Sequence, residues 1–494
     1  MNKVGIKSWG SYIPSRRIHR STIFQSVAWA NPALKGLSGG RRSFCGWDED
    51  SITMAVESAR ESLKRLAGQP GDINALLFAS TSFPFLDRQN STLVSAALNL
   101  PAAVRSLDLA GSLRAGTSGL IEAQASARGG DTVLVSSDNR HAKPGSSEEM
   151  NYGSAAASLV LGAGEVVAEF LGTCSRSFDL VDHYRSSGMD ADYGFEARWV
   201  RDEGYIGQLV PMLSEFLDAS GMAPQEVDHA ILPATSDRLN RTIAGRLGIR
   251  NEAVTDGRFL DVGHTGTAHS LLLLTDCLNN AGPGETILVC GFGQGCDAVL
   301  LRTTEKLAGR QTADVLQTGS LPEQDVGDYL QFLSFGGQVS MDWGMRAERD
   351  NRTAMSSYYR NRETLTAFVG GKCRTCSTVQ FPRSAICVNP DCNAEGSQED
   401  FSMLDLSGRV KSFTEDWQAY CAEPPLKYGH VGFDGGANIL MEFADMPVGS
   451  LKVGMPVRPV FRIKDKDSLR HYHRYFWKVT AVAHNDESTT GMQS

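Results

Sequence analysis

Apolar and polar positions along this chain follow one pattern twice. The first run opens at Leu107-Asp108-Leu109-Ala110-Gly111, passes Ala115-Gly116-Thr117, continues for the length of a helix and closes at Gly130-Asp131-Thr132-Val133-Leu134-Val135. The second opens at Leu260-Asp261-Val262-Gly263-His264, passes Thr265-Gly266-Thr267 and closes at Gly284-Glu285-Thr286-Ile287-Leu288-Val289. Corresponding positions (Asp108 with Asp261, Gly116 with Gly266, Asp131 with Glu285) recur 150 to 154 residues apart, so the chain carries an internal duplication. Each run reads as a short strand, a Gly-bearing loop, a buried helix and a second apolar strand, the grammar of an α/β unit. Two such loops would each open a helix. Helix N-termini carry unsatisfied N–H groups and partial positive charge, so a pair facing one pocket suits a carbonyl oxygen that gains negative charge. The same letters also fit a Gly-Thr pair that only starts a packed helix in each half.

Around the repeat the pattern continues. Val4 to Gly10 alternates like a strand that Tyr12-Ile13-Pro14 ends, and Asp48-Glu49-Asp50-Ser51 caps a helix running from Ile52 toward Leu66. A strand at Ala75 to Ala79 leads into Ser80-Thr81-Ser82-Phe83-Pro84-Phe85, at the sheet edge where open α/β folds bind ligands. After Thr304 the sequence turns polar and weakly periodic, with Gly319-Ser320-Leu321-Pro322 and Gly336-Gly337, and a domain boundary is expected there. Further on, Gly408 to Thr414, Val431 to Met441 with its Asp434-Gly435-Gly436 turn, and Val453 to Phe461 read as short strands with tight turns.

Composition narrows the class. At 494 residues the chain exceeds one ordinary core, so two or three domains are expected. The apolar run Leu271 to Leu274 is interrupted by Asp276 and the N-terminus lacks a signal-like apolar region, which reads as no membrane association and a cytoplasmic location. A net charge of −9 disfavours a nucleic-acid partner. Of ten cysteines, six are scattered and four form Cys373-x2-Cys376-x10-Cys387-x4-Cys392. Two close pairs with a short loop between them put four thiolates at the corners of a tetrahedron, the arrangement of a structural zinc, although the second pair is two residues wider than usual.

The early strand ending at Ile13-Pro14, Asp48 to Ser51, the Ser80 to Phe85 segment and the duplicated halves together resemble the thiolase superfamily, in its hydroxymethylglutaryl-CoA synthase and ketoacyl synthase III branch. The likeness covers roughly residues 1 to 335. It implies an α/β, duplicated αβαβα fold with halves at 1–165 and 166–335, a coenzyme A thioester as substrate, and a homodimer or a complex with another thiolase-like subunit. The remainder resembles the zinc-ribbon and OB-fold partner domain of such proteins, as a helical linker and ribbon at 336–400 and a small β-barrel at 401–494.

Carried over position by position, the resemblance loses three catalytic residues. Leu113 stands where the family has its nucleophilic cysteine, Thr81 where the synthases have a glutamate, and Leu232 where they have a histidine. His229 lies three residues earlier, an odd offset that turns it to the other strand face. His264 falls where the family keeps an asparagine or a histidine, and a neutral imidazole there can donate to a thioester oxygen. His269 is a second donor or a helix residue. Ser112 and Cys290 complete the catalytic candidates. Cys290 precedes the Gly291-Phe292-Gly293-Gln294-Gly295 loop, in which Gly293 would let the backbone approach a ligand. Cys45, Cys174, Cys277 and Cys296 read as buried structural thiols. Arg185, Arg198 and Arg201, in segments dense in charge and aromatics, are candidates for holding CoA phosphates, or belong to a solvated helical face. Arg470-His471-Tyr472-His473-Arg474-Tyr475 fits either a CoA adenine and phosphates or a barrel strand with one wet face. Three functions follow. The first is making or breaking a carbon–carbon bond on a CoA thioester without the usual cysteine. The second is a non-catalytic acyl-CoA-binding or scaffold subunit, and the third a hydroxymethylglutaryl-CoA synthase-type acyltransferase.

Overall fold

The computed structural model describes residues 4–66, 73–310, 323–348, 350, 352 and 354–482. The expected boundary signal at Gly319 to Pro322 lies outside these. The described residues divide into two compact units, the first running to Met341 and the second beginning at Asp342.

The first unit is built on nine strands: β1 (Val4–Tyr12), β2 (Ile73–Ala79), β3 (Arg105–Leu109), β4 (Asp131–Asn139), β5 (Ser154–Ala163), β6 (Ala168–Ser177), β7 (His229–Ile231), β8 (Thr286–Phe292) and β9 (Gly295–Thr303). Their order, β7-β8-β9-β6-β1-β5-β4-β2-β3, reads as two half-sheets meeting at β6 and β1. Among the described residues the meeting is narrow, with Gly5 opposite Glu169 and Ile6 opposite Ala168. Pairing directions mirror across it. β2 runs parallel to β3 and β4, as β7 does to β8, and β4 pairs antiparallel with β5 as β8 does with β9. The duplication in the letters is thus a duplication of topology.

Two helices lie between the half-sheets. The first, α2 (Ala115–Ser126), packs against β2 and β4 on one side and β8 and β9 on the other; the second, α5 (His269–Asn280), packs against β5, β1, β7 and β8. Sandwiched helices are apolar on nearly every face. Leu271, Leu272, Leu273 and Leu274 are accordingly all buried. The outer layers are α1 (Ser51–Lys64), and α3 (Val210–Ala219) with α4 (Asp237–Leu247). The expected cap of α1 is present: Asp50 accepts the Thr53 N–H at 2.9 Å and Thr53 Oγ1 accepts the Asp50 N–H at 2.8 Å. These layers make up the αβαβα arrangement.

The repeat diverges at one place. Leu260 to Gly263 was expected to form a strand and instead forms a turn, in which the Arg258 carbonyl accepts N–H bonds from Asp261, Val262 and Gly263. Asp261 is drawn outward by Arg41 and Arg258, Leu260 is exposed, and Gly263 sits at φ +92°. The strand's place in the sheet passes to Val254, which makes a single parallel bridge to Ala230. The two Gly-Thr pairs are likewise not equivalent, since Gly116 and Thr117 lie inside α2 whereas Gly266 and Thr267 precede α5. They touch instead: a Cβ on Gly116 would come within 2.2 Å of the Thr267 carbonyl oxygen.

The second unit has a three-stranded sheet of β10 (Val369–Cys373), β11 (Val379–Gln380) and β12 (Gln398–Ser402), and a five-stranded one of β13 (Gly408–Asp416), β14 (Leu426–Phe433), β15 (Asn438–Glu442), β16 (Pro456–Asp467) and β17 (Tyr472–Ala481). The latter runs β15-β14-β13-β16-β17, and a parallel bridge from Phe443 to Val479 returns the β15 end to β17. That closure is the five-stranded Greek-key barrel of OB-folds. The Asp434-Gly435-Gly436 hairpin turn forms where expected, while Val453 to Met455 belongs to the turn before β16 rather than to a strand.

Candidate active site and metal centre

The carboxyl ends of β4 and β8 and the N-termini of α2 and α5 converge on a cavity of about 760 Å³. Its walls include Leu113, Arg140, Tyr152, Asp182, His183, His264, His269, Gly291 and Phe292, with Arg198 and Arg201 also contributing. Leu113 and His264 therefore share one space. Among the described residues, none of those lining it is a cysteine.

His264 is buried, and its ring stacks on His269 at 4.5 Å between centroids, with Phe259 stacked beyond. The Gly266 N–H donates to His264 Nδ1 at 3.3 Å. Burial above all, then the nearby His269, Arg140 and His183, holds His264 well below the ordinary histidine range. A neutral imidazole that accepts at Nδ1 carries its proton on Nε2, so this ring is a donor. His269, lowered to about 4 by burial and then by Arg258, is arranged alike, with Thr265 N–H on its Nδ1 at 3.4 Å.

This local order has a cost for the expected helix-end amides. The N–H groups of Thr265 and Gly266 go to the two imidazoles, that of Thr267 to Asp138, and that of Ala268 to the Thr265 carbonyl. The turn before α5 has no amide left to offer, and its hydrogen-bonding capacity is handed to His264 Nε2.

Asp138 was not anticipated. Fully buried at the end of β4, it accepts from Ser80 Oγ, the Thr81 and Ser82 N–H groups, the Thr81 and Ser82 hydroxyls, and both the N–H and the hydroxyl of Thr267, at 2.8 to 3.0 Å. Thr81 is thereby fixed as a structural donor. The available signal was the switch from Val133-Leu134-Val135 to Ser136-Ser137-Asp138-Asn139-Arg140 at the carboxyl end of a buried strand. Arg140, also missed, lies over the Tyr152 ring at 3.9 Å and donates to Tyr152 Oη at 2.6 Å and to Asp192 at 2.8 Å.

The remaining expected residues divide. Arg198 and Arg201 line the cavity and are exposed, Arg201 paired with Asp202. Arg185 does not line it; Asp192 and the Thr81 carbonyl hold its guanidinium. Ser112 donates to the Gly293 carbonyl at 2.6 Å, and a Cβ on Gly293, at φ +152°, would come within 2.6 Å of that hydroxyl, so the glycine-rich loop is clamped onto the start of α2. Cys290 is wholly buried outside the cavity, and burial pushes its thiol well up. His229 pairs with Glu285 at 2.6 Å and Leu232 is buried; neither lines the cavity.

In the second unit the sulfurs of Cys373, Cys376, Cys387 and Cys392 lie within 4.8 Å of one another, with Cys373 and Cys392 at 3.9 Å and Cys376 and Cys387 at 3.6 Å. Four converging thiols with these spacings can hold a metal ion.

A duplicated sandwich with its cavity at the paired central helices defines a thiolase-superfamily protein. Residues 217–303 match the family described as 3-oxoacyl-[acyl-carrier-protein] synthase III C terminal. The chain is 30% identical over 313 residues to hydroxymethylglutaryl-CoA synthase of Aeropyrum pernix, covering 62% of this chain and 86% of that one. It is 29% identical over 353 residues to the Caldivirga maquilingensis enzyme of the same name, covering 69% and 99%. The chain belongs to the hydroxymethylglutaryl-CoA synthase family of acyl-CoA carbon–carbon bond-forming proteins. Among solved structures, its fold is similar to MvaS in complex with 3-hydroxy-3-methylglutaryl coenzyme A (TM-score 0.58, 17% identity, 68% of this chain and 92% of that one). It is also similar to 3-oxoacyl-(acyl carrier protein) synthase III of Pseudomonas aeruginosa PAO1 (TM-score 0.54, 20% identity, 61% and 99%). No helix among the described residues is long and apolar enough to cross a membrane.

Proposed function

We propose that the cavity binds a coenzyme A thioester and makes or breaks a carbon–carbon bond on it without an acyl-enzyme at the family's cysteine position. The observation that carries this is the pairing of Leu113 with a neutral, donor-oriented His264 in one cavity, none of whose described lining residues is a cysteine. A thioester oxygen placed on His264 Nε2 gains a hydrogen bond that strengthens as enolate charge develops, which lowers the barrier rather than only tightening binding. Arg198 and Arg201 at the exposed wall suit the phosphates of a coenzyme A ester, the kind of ligand in the MvaS complex with 3-hydroxy-3-methylglutaryl coenzyme A. An acyl-CoA-binding scaffold would use the same walls without turnover.

The cysteine cluster supports a structural zinc. Tetrahedral Zn–S bonds of about 2.3 Å set an S···S edge of roughly 3.8 Å, close to the two spacings in the cluster, and four protein ligands leave no position for substrate. The same reading takes the protein as a cytoplasmic homodimer; ten cysteines that form no disulfide among the described residues suit a reducing compartment, and a two-fold dimer is the commonest assembly.

Calorimetric titration with acetyl-CoA tests the binding half. Stoichiometric binding that weakens about tenfold in Arg198→Ala/Arg201→Ala is expected, and heat-silent titration of a folded protein would end the reading. His264→Ala is expected to retain binding and lose turnover by 10²-fold or more, the scale of removing one oxyanion donor.

A further inference from the structure

The cavity holds a third histidine, of different character from the stacked pair. His183 Nδ1 pairs with Asp182 Oδ2 at 2.9 Å, and Gln294 Nε2 of the glycine-rich loop donates to Asp182 Oδ1 at 2.9 Å. The carboxylate is thus held from both sides and fixes the ring. The hairpin that carries the pair is itself anchored: His183 pairs with Gly194 across it, and the Phe195 N–H donates to the Asp182 carbonyl. Both side chains are mostly buried, at 14% and 10% exposure, and both residues line the cavity. His183 Nε2 has no hydrogen-bond partner among the described residues. With Nδ1–H turned to the carboxylate, the Nε2 of that tautomer is the ring nitrogen able to accept, where His264 presents a donor.

We infer that His183 is the general base of this site and Asp182 its positioning residue. The inference rests on the proposed thioester chemistry and supplies the group that Thr81 cannot replace. In the condensing direction His183 Nε2 takes a proton from the thioester Cα. The C–H electron pair moves into the enolate, whose oxygen His264 holds. The enolate carbon then bonds to an acceptor carbonyl, and the resulting alkoxide recovers the proton from the His183 imidazolium. The reverse path takes the hydroxyl proton, breaks the carbon–carbon bond and returns the proton to Cα. No oxidant or further reactant is needed. Of the other ionisable groups around His183, Glu148 lies beside Gly194 on the facing strand, His264 is held neutral, and Arg140 is engaged with Asp192 and Tyr152.

The test is deuterium exchange at Cα of acetyl-CoA in D2O, followed by NMR on the full chain, with calorimetric binding measured in parallel. Wild type is expected to exchange. His183→Gln should lose at least about 100-fold in exchange, within the usual range for a general base, while binding acetyl-CoA as wild type does. His183→Ala should recover exchange on addition of imidazole. Asp182→Asn should slow exchange without weakening binding, and should cost nothing further in the imidazole-rescued His183→Ala background. A wild type that binds but never exchanges, or a His183→Gln that exchanges at the wild-type rate, overturns the base assignment and leaves the binding reading standing. A wild type that does not bind acetyl-CoA overturns both.

Discussion

Acidification should loosen the core of the first unit in a way that one residue controls. His269 opens α5, is 2% exposed, and stays neutral because burial and Arg258 lower its pKa to about 4. In the unfolded chain the same group titrates near its ordinary value of about 6.5. Below that value the unfolded state binds a proton the native state refuses, so stability is fully present above about pH 6.5 and falls as pH drops toward the native pKa. Linkage gives a loss of roughly 2 kcal/mol at pH 5 and roughly 3 kcal/mol at pH 4 from this one ring. His264, displaced in the same direction, adds to the fall. The assay is urea unfolding at pH 7, 6 and 5, read by pulsed hydrogen exchange of the α5 peptide so that the C-terminal unit does not contribute. His269→Gln removes the titration but keeps an acceptor for the Thr265 N–H. The variant should therefore lose less stability than wild type between pH 7 and 5, the two curves converging by about 2 kcal/mol. Parallel curves would mean that His269 protonates equally well in both states and that the tight environment around the histidine pair is wrong.

Two further outcomes follow from the geometry. Asp138→Asn leaves one Thr267 N–H facing an amide donor, while the hydroxyls can turn to accept; stability should drop by about 1 to 3 kcal/mol, read as a lower thermal midpoint, and activity should fall as the turn that orients His264 loosens. An unchanged midpoint would remove Asp138 from its central place. Metal analysis should return one zinc per chain, and strong chelation should expose the backbone amides of β10 to β12 to exchange while α2 and α5 keep their protection; no bound metal, or no change on chelation, would count against the four-thiolate site.

Much of this was legible in the letters, for specific reasons. The recurring apolar and polar pattern exposed the duplication because each half must build the same strand, loop and helix, and the spacing of Cys373, Cys376, Cys387 and Cys392 exposed the cluster because ligand geometry restricts spacing. The same periodicity misplaced Leu260 to Gly263, where Arg258 carbonyl bonds and two arginine pairs outweigh strand propensity. Asp138, Arg140 and the Asp182–His183 pair were harder to see as a site. Their partners lie up to 129 residues away in sequence, from Asp138 to Thr267, and no local spacing encodes such a contact. The amides of the α5 turn were misjudged for a different reason: the rings that consume them lie only two and four residues from their donors, but ring orientation is set by stacking rather than by spacing.

The central claim is that this cavity handles a thioester without a sulfur nucleophile. Intact-mass spectrometry after incubation with acetyl-CoA tests it most directly, under native conditions for the bound complex and after acid quench for covalent acyl groups. The account predicts a native complex with one acetyl-CoA per chain and no retained acetyl group after quench, with a covalent acetyl group appearing only in Leu113→Cys. A retained acetyl group on any cysteine of the unaltered protein would contradict it.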